Sequence, residues 1–97
     1  MLQIKYTPAF SRDLKKKAAK RKWNLDELAH VIDLICENSP ESTVELKSRH
    51  SMHVLAGQWH GSRECHVANA GDWLLIWAVD GDYAYLQRTG SHDELFR

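Results

Sequence analysis

The sequence contains no apolar run near the ~18 residues that a membrane span requires, and its opening stretch MLQIKYTPAF lacks the continuous apolar segment of a signal peptide. The expectation is a protein that stays in the cytoplasm, away from the membrane. Cysteine occurs twice, at Cys36 and Cys65, so at most one bridge is possible and a disulfide scaffold is excluded. Both are read as reduced, apolar fillers. Only two prolines and five glycines punctuate the chain, with no repeats, no low-complexity segment and no interdomain linker. Charge of one sign is also missing, because thirteen Lys+Arg balance thirteen Asp+Glu.

What is present is enough apolar material for a core. Of 97 residues, 43% are hydrophobic, and a chain of this size buries roughly 60 to 70% of its unfolded surface. One compact domain over residues 1–97 is expected. The balanced total conceals a segregation. Residues 1–22 hold eight cations against the single anion Asp13, a net +7, and the remaining residues carry −7. A basic N-terminal arm on a mildly acidic body suits an anionic partner.

Periodicity gives an α+β order. Leu2, Ile4 and Tyr6 alternate with polar residues as in a half-buried strand. Thr7 and Pro8 suit an N-cap and the first helical position, which predicts a basic helix over about 8–21 with Phe10, Leu14 and Ala18 inward. Asn24 with Glu27 opens a second helix, carrying Leu25, Leu28, Ile32 and Ile35 and ending near 38–40. The two form a helical hairpin. Ser39, Pro40, Ser42 and Thr43 break any period, so a polar loop is expected through Lys47–Ser51. Strands follow over 53–59, 63–68, 73–79 and 83–88, separated by the Gly61-Ser62, Asn69-Ala70-Gly71 and Asp80-Gly81 turns. Ser91 with Glu94 caps a final helical turn. The expected fold is an N-terminal strand and helical hairpin packed on an antiparallel sheet, in the order β-α-α-β-β-β-β with a short C-terminal helical turn.

Histidine is the notable residue type, at positions 30, 50, 53, 60, 66 and 92. Its reference pKa of about 6.5 suits proton transfer near neutrality. His30 is read as a surface residue. Strand parity places Glu64 and His66 on one face and Cys65 and Val67 on the core side, so His66 faces solvent or a cleft. Asp72 can approach it across the turn and fix its tautomer. His92 follows the Ser91 cap. Arg88, at a strand end before Gly90, is either a phosphate clamp or the partner of Asp80, Asp82 or Glu64. Trp59 and Trp73, at strand ends, either stack a nucleobase or join the core, and Trp77 reads as core. A zinc site seeded by His50-x-x-His53 with His60 or His66 is a rival use of the histidines, weakened by its spacing.

The segments His53-Val-Leu-Ala-Gly-Gln-Trp59, Arg63-Glu-Cys-His66-Val, Asp72-Trp-Leu-Leu-Ile-Trp77 and Arg88-Thr-Gly-Ser-His92-Asp-Glu-Leu-Phe96 together resemble the RelE-type bacterial toxins, in particular their YafQ-like branch. The resemblance covers nearly the whole chain. Its departures are a longer turn before Asp72, Glu64 where an Asp is commoner, Trp77 for a Tyr, and Ser62 for a Tyr. It implies a RelE-like fold and a ribosome-dependent endoribonuclease that cuts messenger RNA in the A site without metal or cofactor. A cognate antitoxin protein would neutralise it in a hetero-oligomer. By motif, His53, His66, Asp72 and His92 match the acid/base residues, Arg88 the motif arginine, Phe96 the substrate-positioning aromatic and Trp73 the neighbour of the aspartate.

Chemically, a metal-free ribonuclease needs a base for the 2′-OH, an acid for the departing 5′-oxygen and a cation at the phosphate. On this reading His92 transfers one proton and His66 or Asp72 the other, Arg88 clamps the phosphate and His53 touches it. Lys15, Lys16 and Lys17 are expected to meet ribosomal RNA phosphates. The alternative is a non-catalytic RNA- or protein-binding module whose basic helix does the work. A gyrase-directed toxin, a third reading, gives the histidines no purpose.

Overall fold

The computed structural model describes residues 1–68 and 71–96. Strand β1 (Gln3–Tyr6) is followed by helices α1 (Pro8–Lys17), α2 (Leu25–Glu37) and α3 (Pro40–His50). Then come β2 (His53–Val54), a 3-10 turn at Gly57–Trp59, β3 (Arg63–His66), β4 (Leu74–Asp80), β5 (Tyr83–Gly90) and the short helix α4 (His92–Phe96). The sheet order is β1-β5-β4-β3-β2. Strands β2 to β5 form the antiparallel meander read from the turns, and β1 adds to the edge of β5 in parallel, with Gln3 opposite Tyr83 and Tyr6 opposite Leu86. The sheet is therefore mixed. The three helices return the chain into β2 running opposite to β1, and the three reversals of the meander then bring β5 into the same direction as β1, beside which it lies.

Local signals account for most boundaries. Thr7 accepts from the Phe10 amide and also donates its hydroxyl to the Leu86 carbonyl at 2.7 Å, so one residue caps α1 and ties it to β5. The basic helix stops at Lys17, short of the expected 21, and Lys22 adopts a positive φ of 53° that turns the chain toward Trp23. The polar loop expected through Lys47–Ser51 is instead the last turn of α3, which ends at His50. Ser39 and Ser42 form a reciprocal capping box, and Pro40 takes the first helical position, where it starts a helix rather than breaking one. The strand expected over 53–59 shrinks to two residues before the 3-10 turn. The Asn69-Ala70-Gly71 turn lies partly outside the described residues.

The helices cover one sheet face. Phe10, Leu28, Val31, Ile35 and Leu46 pack there on Cys65, Val67, Leu75, Trp77 and Leu86. Both cysteines are free, and burial, followed by the Glu64 charge, pushes the Cys65 thiol well above its usual range. Each large buried side chain contributes roughly 1.5–3 kcal/mol, so this face anchors the sheet. The opposite face carries a smaller cluster of Leu74, Ile76 and Leu95 flanked by Leu55 and Trp59. Among the described residues, no helix is long and apolar enough to cross a membrane.

Candidate active site

On the lightly covered face, β3 presents Glu64 and His66, two residues apart and therefore on the same side. The register continues that side through Ile76 to Arg88 and through Leu74 to Gly90, at which point the chain enters α4. Alternation along β3 thus delivers His66 to the region where α4 delivers His92. Their ring centroids are 5.9 Å apart, and Phe96, one turn further along α4, has its ring 6.1 Å from His92. Leu95 pins α4 by its burial, which leaves His92 and Phe96 exposed.

Asp72 joins them. One of its oxygens, Oδ1, accepts from the His92 backbone amide at 3.0 Å and lies 3.0 Å from His92 Nδ1. The amide hydrogen bond is the largest influence on Asp72, and together with the His92 ring and the His66 charge it outweighs partial burial, holding the carboxyl below its usual range. An ionised carboxylate only accepts, so His92 Nδ1 carries the proton and Nε2 is the nitrogen left to exchange one.

His53 stands opposite Glu64 across the β2–β3 pair. Its Nδ1 donates to the Ser51 carbonyl at 3.1 Å and its Nε2 lies 3.5 Å from Glu64 Oε1. Glu64 is 2% exposed, and its Oε2 is buried without a partner among the described groups, as is Trp59 Nε1. An orphaned buried acceptor is costly and marks a place where a donor is missing. In the sequence, Glu64 signals only its strand face. Its burial beside His53 follows from the packing of β2 and cannot be read from spacing.

Three expected site residues sit differently. Trp73 is 4% exposed, stacked on Trp23 at a centroid distance of 4.3 Å, with its Nε1 donating to Thr89 Oγ1 at 2.8 Å. It belongs to the core and has no free face for a nucleobase. Arg88 pairs with none of Asp80, Asp82 or Glu64. Its Nε and Nη2 donate to the Asp13 carboxylate at 2.6 and 3.1 Å, because α1 lies against β5 just beyond the end of β1. Lys17 is also withdrawn from solvent, with Nζ donating to Asp13 and to the Thr89 carbonyl, both at 3.2 Å. Lys15 and Lys16 remain exposed, and Trp59 is half-buried against the Leu74 cluster.

These contacts form a support that sequence reading misses. Glu94 takes a bidentate pair from Arg21 at 2.7 and 2.6 Å, lies 3.6 Å from Lys17 Nζ and accepts from the Ser91 amide at 2.8 Å. Arg21 exerts the largest influence, holding the Glu94 carboxyl far below its usual range. Gly90 sits where a Cβ would come within 2.8 Å of Lys17 Nζ and 2.9 Å of Glu94 Oε1. The one available signal was Asp13, the lone anion of the basic segment. As for the rival metal reading, His50 turns its Nδ1 to the His66 carbonyl at 2.8 Å and is buried, whereas His53 and His60 are exposed.

A profile of the bacterial toxin of type II toxin-antitoxin systems, YafQ, matches residues 2–97. The chain belongs to the YafQ toxin family. The curated mRNA interferase toxin YafQ of Escherichia coli K12 is 33% identical over 93 residues, covering 96% of this chain and 94% of that protein. Among solved structures, a copper-bound mutant toxin from Helicobacter pylori superposes with a TM-score of 0.84 at 31% identity, covering 99% of this chain and 100% of that one. YafQ in the E. coli DinJ–YafQ complex gives a TM-score of 0.80 at 32% identity, with all of both chains covered. The resemblance read from the motifs is borne out, and the α+β fold of this YafQ family member matches its structural neighbours.

Proposed function

We propose that this chain is an mRNA interferase that cleaves messenger RNA in the ribosomal A site by metal-independent acid/base catalysis and is held inactive by a cognate antitoxin. The relatives support the reaction class, since one is named an mRNA interferase and another forms a complex with DinJ. The observation that carries the reading is the Asp72–His92 pair beside His66 and Phe96.

In the proposed reaction one histidine takes the 2′-OH proton as that oxygen attacks the adjacent phosphorus. The other protonates the departing 5′-oxygen, leaving a 2′,3′-cyclic phosphate and a 5′-hydroxyl. His92 and His66 fill these roles, and Asp72 orients His92 and stabilises its imidazolium rather than moving a proton itself. Phe96 stacks on a base. His53 meets the phosphate, with Glu64 packed beneath it. Arg88 acts on the developing charge from its anchored position on Asp13. The antitoxin would cover the apolar groove of about 520 Å³ along α1, rimmed by Tyr6, Leu25 and Lys15. The cytoplasm, where ribosomes are, is the matching compartment.

The test is to map message ends after induced expression and to repeat cleavage on programmed ribosomes with purified protein. Cyclic-phosphate ends, insensitivity to EDTA and a loss of at least about 10²-fold in His92→Gln are expected. Salt-sensitive RNA binding without scission would establish the non-catalytic module instead.

A further inference from the structure

Away from the candidate active site, on the helical side of the sheet, α2 and α3 bring together three side chains that the proposed reaction does not use. His30 Nε2 lies 2.7 Å from Glu45 Oε2, and the His30 and His50 rings are 6.3 Å apart. One ligand atom from each of His30, Glu45 and His50 falls within 4.8 Å of the other two. Tetrahedral zinc with bonds of about 2.0–2.1 Å holds its ligand atoms about 3.3 Å apart, so small rotations of these side chains would close the set on an ion.

Two further features favour a cation there. His50 is buried, and its Nδ1–H donates to the His66 carbonyl at 2.8 Å. This fixes the tautomer, leaves the Nε2 lone pair for a ligand, and is the outer-shell arrangement that metal-bound histidines normally have. The three residues also line a cavity of about 300 Å³ whose wall includes Asp26, Glu27 and Arg49, so that with Glu45 three carboxylates face a single fixed cation. An ordinary surface ion pair between His30 and Glu45 explains neither the oriented, buried His50 nor the open space beside it.

We propose that His30, Glu45 and His50 form a binding site for a late first-row divalent cation such as zinc, with water in the fourth position. Two nitrogens and one oxygen make a borderline set that suits zinc, copper or nickel better than calcium or magnesium. The ion would clip α2 to α3 and sit one hydrogen bond from the backbone of His66.

Calorimetric titration of the chelator-washed protein with zinc chloride tests this. The active-site histidines are rival ligands, so the variants must separate the two locations. One equivalent with a micromolar or tighter Kd is expected, weakened about 100-fold or more in His30→Gln and in Glu45→Gln and retained in His53→Gln and His92→Gln. In parallel, zinc at tenfold above Kd should raise the Tm by about 5–10 °C in the parent and not in the first two variants. His30 and Glu45 are not buried, so circular dichroism without zinc should show both variants folded. Absence of binding, or binding lost in His53→Gln or His92→Gln and kept in His30→Gln, overturns the proposal.

Discussion

At the scale of single residues, the decisive contact is the one between Asp72 and His92. Asp72 holds both the backbone amide and the ring of His92, so it sets where the imidazole lies and which nitrogen is left free for the proposed proton transfer. Asp72→Asn keeps the shape but lets the amide either donate or accept, and the ring loses its defined tautomer. Single-turnover cleavage should fall by about 10²–10⁴-fold while the Tm changes little, since both groups are more than half exposed. A rate unchanged in Asp72→Asn would remove the aspartate from the mechanism. Part of this was legible, since strand parity placed His66 and the Ser91 cap placed His92, but Asp72 was expected to fix the tautomer of His66 and instead bonds His92. Trp73 was not legible, because a tryptophan at a strand end reads the same whether its face is open or covered by Trp23, and Trp23 comes from a turn that no periodicity predicts.

At the scale of elements, α4 has only five residues and no stability of its own. It is held by Leu95 beneath and by Arg21, Lys17 and Ser91 through Glu94, while Asp13 fastens α1 to β5 beside it. Burial pushes the Asp13 carboxyl upward most strongly of any single influence, but the hydrogen bonds from Arg88, the Thr89 amide and Lys17 together outweigh it and lower the pKa. Glu94 is lowered as well. Groups depressed in the folded state stabilise it fully above the ordinary carboxylate range and stop doing so as pH falls through their native values. The Tm should therefore be level from about pH 7 to 5 and fall below about pH 4. Asp13→Asn should remove part of that acid loss and cost about 2 kcal/mol at neutrality, read from denaturant unfolding at both pH values. A Tm that falls equally in the variant would show that other carboxylates set the acid limit. Helix α3 was hidden from the sequence because proline and serine open helices as readily as they end them, and only the reciprocal Ser39–Ser42 bonds decide which.

At the scale of the whole molecule, the charge segregation resolves into two uses of the same segment. Lys17 turns inward to the β5–α4 corner, Arg21 pairs with Glu94 at its surface, and Lys15 and Lys16 are left to solvent. The basic arm is thus part scaffold and part open surface, a division that net charge cannot reveal. Replacing Lys15 and Lys16 together by alanine should weaken ribosome association and reduce its salt dependence, with the Tm unchanged. Lys17→Ala should lower the Tm instead. If all three substitutions affected binding alike and left stability intact, the inward role of Lys17 would be wrong. The sheet topology was partly readable, since turn spacing gave the antiparallel meander. Nothing local in Leu2–Tyr6 specified that the strand would join β5 in parallel, which is a consequence of where the three helices leave the chain.

That pairing also governs time. Gln3 must wait for Tyr83, eighty residues later, and Arg21 for Glu94. At about 5–20 residues per second, synthesis leaves β1 and α1 without their sheet partner for about 4 to 16 s. During this interval the nascent chain has neither its β5 edge nor its Asp72–His92 pair. On the proposed mechanism, the chain would thus have no means of cleaving a message until nearly all of it has been made.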